Sequence, residues 1–407
     1  MLPTTDTETS SPEEDCLQTP SSAATIIASN DDLLTEIIVC TPVNSLIRFK
    51  SVSKHWFSLI SASHFSLLHT MRRPNRRPSG LFLRKAPSIP SSFAKTEYEF
   101  VSLSNSNFSG APFRSLNFAD APSGIQISQS CNGLLLCCTL RKETRNYYIY
   151  NPTTKQYSTL PVPHSGAKSS TVFGVNLAFD PLKSIHYKVI CVRSTAPSVY
   201  CIDEYSSETR SWRSCGDPFT TSHDRVLTDG VFWNSSVHWI SPSGASLRFD
   251  IDHECLGTMP MIPAVSGDRG PRRDTYFGQA NGHLHLIETY GNLTTQFDVF
   301  EMERDYSKWF VKYSVDLVGI LNAFPEMEQR GCIHYYAYCI LSLVREDHED
   351  ESSLLVHVPG GKVLSYKFKD NTFKELHNSA PENFYQCLPL QFRSYYAYTY
   401  IESLASV

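Results

Sequence analysis

The residues of this chain that come nearest to chemical machinery fall short of it one by one. Gly360-Gly361-Lys362 approaches a phosphate-cradling loop, but the upstream glycine and the following Ser or Thr are missing. Asp250 and Asp252 form a carboxylate pair at a strand-to-turn position, where solvated charge is expected. His238, His283 and His285 fall in strand patterns, where an imidazole is expected to be packed or exposed, not a base or a ligand. The sequence has no G-x-S-x-G elbow, H-E-x-x-H pair or dinucleotide G-x-G-x-x-G. The 12 cysteines sit mostly in apolar runs such as Leu136-Cys137-Cys138 and Cys191-Val192, with no spacing suited to zinc. We therefore assign no catalytic residue, no metal and no cofactor, and expect function to rest on binding surfaces.

Composition narrows those surfaces. A chain of 407 residues has room for two or three domains, and 12% aromatic content supports a substantial core. A net charge of −5, from 36 basic and 41 acidic residues, argues against nucleic-acid binding through a strongly basic face. The basic run at 72–78 (RRPNRRP) and the acidic run at 345–352 (REDHEDES) read as a solvated linker and loop. No secretory signal and no membrane-length apolar run is visible, so the cysteines are expected to be reduced core residues in the cytoplasm and/or nucleus. The sequons at Asn107, Asn234 and Asn292 are then chance matches.

The elements divide sharply. Residues 1–28, rich in Ser, Thr, Pro and acids, read as a disordered tail. Residues 29–70 read as a helical head. Its first helix starts at Ser29 or Asn30, takes dipole support from Asp31, Asp32 and Glu36, and carries Leu33, Leu34, Ile37 and Ile38 as one apolar stripe. Pro42 breaks this helix and opens a second with Val43, Leu46, Ile47 and Phe49. A third carries Trp56, Leu59 and Ile60, and a short fourth carries Phe65, Leu67 and Leu68. This is more apolar surface than so small a unit hides alone, so part of it is expected to dock on another protein.

After a basic linker at 71–79, residues 80–407 read as short strands in five recognisable units, opening at CNGLLLCC, VFGVNLAFD, GVFWNSSVHW, NGHLHLIETYG and YYAYCILSLV. Their spacing of about 40–55 residues matches four-stranded propeller blades. Residues 81–127 begin a first blade, and the run FRSYYAYTYIESL supplies a late strand that closes the ring. Asn132-Gly133 and Asn281-Gly282 are hairpin signals. The fold class is α+β multidomain: a small all-α unit, then an all-β propeller of about six blades. A pair of sandwiches is the alternative architecture.

The head resembles an F-box, the motif that attaches proteins to the Skp-type adaptor of SCF ubiquitin ligases. The resemblance rests on Asp32-Leu33-Leu34, Glu36-Ile37-Ile38, Pro42-Val43, Ser45-Leu46, Arg48-Phe49, Val52-Ser53-Lys54, Trp56 and Ser58-Leu59-Ile60. It departs from the usual pattern at Ser29-Asn30, where the family has an apolar residue and Pro, and at Thr41, where it has Leu. The strand body resembles the F-box-associated, kelch-like domain of plant F-box proteins at SCNGLLLC, YNPTTKQYSTLP, AFDPLKSIHYKVI, SSETRSWRS, VFWNSSVHWI and DYSKWFVKYSVDL. The resemblance implies a substrate-recognition subunit: the head binds the adaptor, and through it cullin and RING subunits, while the propeller captures an unknown protein. The adaptor-binding residues it implies are Leu33, Leu34, Ile37, Ile38, Pro42, Val43, Leu46 and Trp56. Trp56 serves equally well as an internal pin between helices. A propeller adaptor working outside the ligase with a degenerate F-box is the second reading. A propeller enzyme, such as a glycan hydrolase or metal oxidase, is the third.

Overall fold

Strands buried on both faces read as continuous apolar runs, and six such sheets arrange themselves around one axis here. The computed structural model describes residues 26–27, 29–73, 77–85, 96–103, 111–140, 145–163, 171–221, 227–241, 246–262, 272–379 and 390–407. Most of the expected tail at 1–28 and the sequon at Asn107 lie outside the described residues.

Blades two to six are four-stranded antiparallel sheets within residues 125–159, 171–220, 231–258, 272–316 and 339–378. Blade one pairs Gly80–Arg84 with Tyr98–Ser102 on one side and with Ala397–Tyr400 on the other. The ring is thus closed by a strand from the far end of the sequence, as expected, and closure leaves no long exposed edge at that blade. Between blades five and six lie a helix, Val318–Ala323, and a small hairpin of Glu328–Arg330 with His334–Tyr336, neither of which was anticipated.

Each blade-to-blade seam has its own apolar cluster. Ile127, Leu135 and Tyr148 of blade two meet Phe82, Tyr98 and Tyr400 of blade one. Leu136 and Ile149 meet Leu177 and Val189 across the next seam. Ile190 and Ile202 then meet Val237, Trp239 and Phe249. Trp233 meets Leu286, Phe300 and Trp309. Val299 meets Val356 and Leu364, and Leu341 and Leu355 meet Leu81 and Val101. A repeated latch reinforces two seams: the Trp212 indole N–H donates to Pro161 O (2.8 Å), and the Trp309 indole N–H to Pro260 O (3.1 Å).

The innermost strands run parallel around a polar central cavity of about 930 Å³. Side chains cross-link them: Gln129 Oε1 accepts from Leu177 N (2.6 Å), Gln129 Nε2 donates to Gly230 O (2.9 Å), and Asn176 Oδ1 accepts from Gly230 N (2.7 Å). Three of the inner strands turn back through two-residue hairpins. Asn132-Gly133 has φ +46° and +95°, and Asn281-Gly282 has +46° and +77°, the left-handed pair a tight hairpin demands. Asn234-Ser235 makes the same turn at +47° and +58°, with serine where glycine is usual.

The helical head sits on the face that carries the Asn132-Gly133 turn. The two charge runs also meet here: Arg77 pairs with Glu346 (2.7 Å) and Asp347 (2.9 Å). Both runs keep much of their side-chain surface in solvent, as a solvated linker and loop should. In addition the linker is tied to the acidic loop, whose Glu349 and Asp350 also pair with Lys312 and Lys369. No helix among the described residues is long and apolar enough to cross a membrane.

Candidate protein-docking site

The head comprises α1 (Asp31–Ile38), α2 (Val43–Phe49), α3 (Lys54–Ser61) and α4 (Ser63–Arg72). Asn30 caps α1, its Oδ1 accepting from Asp32 N (3.0 Å) and Leu33 N (3.1 Å). Ser29 turns away and donates to Ile26 O (3.0 Å). Ser53 caps α3 through Trp56 N (3.1 Å). Thr41 ends α1 by donating to Ile38 O (2.7 Å), and its own carbonyl lies 3.0 Å from His69 Nε2 of α4. Of the positions that depart from the F-box pattern, Asn30 therefore caps α1 and Thr41 ties the end of α1 to α4, while Ser29 does neither.

The expected site residues divide into two sets. Leu34, Ile38, Val43 and Leu46 are buried and form the head's own core with Val39, Ile60 and Phe65. Leu33 and Ile37 stand on the surface at 45% and 52% exposure, and Pro42 is also exposed. Trp56 is half-buried, with its ring edge-to-face on Phe49 at 5.4 Å. The spacing rule could not separate these sets, because Leu33-Leu34 and Ile37-Ile38 are adjacent pairs on one wide stripe. Two surface residues were missed: Val52 at 63% and Phe57 at 56% exposure. Phe57 lies next to Trp56 and three residues before the buried Ile60, so helical spacing places it beside the inward stripe and gives no signal that it points outward.

The remaining candidate residues serve the scaffold. His238 is fully buried, with Nδ1 3.1 Å from Val231 O and Nε2 3.0 Å from the Tyr306 hydroxyl. Burial holds its pKa down to about 4. His285 is also fully buried and His283 half-buried; both lie against Glu301 at 3.4 and 2.7 Å, together with Arg345. Asp250 Oδ1 accepts from Asp252 N (3.0 Å) and His253 N (2.9 Å) and so shapes a turn, while Asp252 is exposed. Gly360-Gly361 is a hairpin with φ +81° and +73°. Cys131, Cys137, Cys138, Cys191, Cys215 and Cys339 are free and buried, but Cys40, Cys255 and Cys332 are exposed, so the core expectation fails for those three. At the cavity rim Arg272 pairs with Glu288 (2.8 Å), and the Arg273 guanidinium lies 4.9 Å from the Tyr338 ring centre.

Comparison with known proteins agrees with this architecture. Residues 92–318 match the F-box associated beta propeller domain. F-box protein At5g07610 of Arabidopsis thaliana is 35% identical over 417 aligned residues, covering 95% of this chain and 94% of that protein. F-box protein At5g49610 of the same plant is 27% identical over 313, covering 72% of this chain and 81% of that protein. With four helices preceding a six-bladed ring, a propeller that matches that domain, and a full-length relative at this identity, the chain belongs to the plant F-box proteins that carry an F-box associated beta propeller domain.

Proposed function

We propose that this chain is the substrate-recognition subunit of an SCF-type E3 ubiquitin ligase. The observation that carries the proposal is the pair Leu33 and Ile37, held about half exposed on a capped helix whose other face already fills the head's core. Large apolar residues left on the surface of so small a unit mark a protein-docking face. Val52, Phe57 and Pro42 extend the apolar surface, and Trp56 contributes its accessible part. Leu34, Ile38, Val43 and Leu46 act from beneath by fixing the helices. The occupant is the Skp-type adaptor, which brings cullin, RING subunit and charged conjugating enzyme. The chain is a non-catalytic adaptor. It makes no bond and contributes proximity, holding a target lysine at high effective concentration near activated ubiquitin.

The target binds the propeller. The face bearing the head is partly covered by the head, the linker and the neutralised acidic loop, so the opposite face is the accessible platform. Substituting Leu33→Asp and Ile37→Asp together tests the docking face. Co-purification with the adaptor is expected to be lost while the propeller keeps its melting transition. Retained binding would overturn the assignment.

One observation favours the second reading, a propeller adaptor working outside the ligase. Asn30 and Thr41 stand where the family offers apolar contact, and their side chains are engaged within the head. A direct affinity measurement against purified adaptor separates the two readings.

A further inference from the structure

We infer that residues Ile401 to Val407 are a splint that locks the head to blade two, so that head and propeller behave as one rigid body. The segment leaves the ring-closing strand and runs extended between the two units. Its side chains alternate between them, as an extended chain must. Glu402 Oε1 accepts from Asn44 Nδ2 of the head at 2.7 Å. Ser403, fully buried, faces the propeller. Leu404 completes the head core with Leu34, Ile38, Leu46 and Phe65. Ala405 enters the cluster of blades two and three beside Leu136, Ile149 and Tyr187.

The propeller side is built to hold this backbone. Asn151 is fully buried, and its Nδ2 donates to both Ser403 O (3.0 Å) and Ala405 O (2.8 Å). Its Oδ1 is fixed by Thr153 N (2.9 Å) and Thr154 N (3.3 Å). Thr153 Oγ1 accepts from Ser403 N (3.2 Å), and Ser403 Oγ accepts from Ala405 N (3.1 Å). Gly133 makes room: a Cβ there would lie 2.6 Å from Ser403 Cβ. Where α4 faces blade three directly the joint is looser: a cavity of about 490 Å³ separates Ser63, Ser66 and Leu67 from Tyr187 and Tyr205, and the splint's own Ala405, Ser406 and Val407 line its wall. The segment therefore carries the coupling, and Asn151 and Leu404 are its positioning residues. On the ligase reading, which this consequence rests on, the splint fixes the direction in which a captured target is presented.

The test uses the full chain with spin labels on Cys40 of the head and Cys255 of blade four, both exposed, and the other reactive cysteines replaced by serine. The unsubstituted splint is expected to give one narrow label-to-label distance. Asn151→Leu and Leu404→Ser are each expected to broaden it, while Leu404→Met keeps it narrow. Hydrogen exchange should rise in the splint of the Asn151→Leu chain and stay unchanged in blades four to six. Adaptor affinity should also stay unchanged in that chain, because the docking face is untouched. A distance that is broad from the start, or that stays narrow in Asn151→Leu, overturns the splint. If the chain fails to bind adaptor while the distances behave as described, the docking reading falls and the splint stands.

Discussion

Two buried histidines should make the propeller's stability depend on pH in a defined window. His238 and His357 are fully buried in blades four and six, and burial holds each pKa near 4 against an ordinary 6.5. Their hydrogen bonds fix one neutral tautomer. In His357 the Nε2 must accept from Gln391 N (3.1 Å), so Nδ1–H donates to Lys362 O (3.0 Å). In His238 Nδ1–H donates to Val231 O, and Nε2 accepts from the Tyr306 hydroxyl. Protonating His357 would set a new N–H against the Gln391 N–H. The unfolded chain takes up a proton at each site below about pH 6.5, but the folded chain waits until about pH 4. Stability is thus retained above 6.5, falls as the pH drops toward 4, and levels off below. The gap of about 2.5 pH units is worth about 3 kcal/mol per histidine when complete, and about 2 kcal/mol of it is lost between pH 7 and 5. His285, lowered by burial in the same direction, adds to the trend. Urea unfolding followed by tryptophan fluorescence at several pH values measures this directly. Between pH 6 and 5 the slope should correspond to about two protons bound on unfolding. His357→Gln should reduce it by about one proton. A slope below one proton, or one unaffected by His357→Gln and His238→Gln, would refute the argument.

Other substitutions separate the head from the ring. Leu46→Ala, at a fully buried head position, should cost the head about 2–5 kcal/mol and remove adaptor binding while leaving the blade amides protected from exchange. Leu33→Ala with Ile37→Ala should leave thermal stability unchanged but weaken adaptor binding by about 2 kcal/mol, since roughly half of each side chain remains to be buried; calorimetric titration reads this. Trp309→Phe should lower the denaturation midpoint through loss of the hydrogen bond to Pro260 O, about 1 kcal/mol plus the smaller ring, with no change in adaptor binding. Gly133→Ala places a side chain at φ +95° against Ser403 and should raise hydrogen exchange in the residues after Tyr400 before any blade loosens.

What could be read from the sequence was local. Asn30 and Ser53 announce helix starts because their side chains compete for backbone N–H groups three residues on. Runs such as Leu134–Thr139 and Ser353–Val358 announce strands covered on both faces. Asn132-Gly133 and Asn281-Gly282 announce hairpins, whereas Asn234-Ser235 hides one, because serine does not advertise a positive φ. The long-range parts were not legible. Nothing near Leu404 says that it finishes a core whose other members lie within residues 34–65. Nor does either charge run reveal that Arg77 will meet Glu346. The division of Leu33 from Leu34 also required the fold, because a helical stripe this wide does not say which neighbour the core keeps.

The central claim is that the head is a docking module for the adaptor. Calorimetric titration of the full chain with purified Skp-type adaptor tests it most directly, with hydrogen exchange on the complex to locate the contact. The account predicts a one-to-one complex with added protection on α1 and α3 around Leu33, Ile37 and Phe57, and none on the blades. No measurable heat, or protection confined to the propeller, would contradict it.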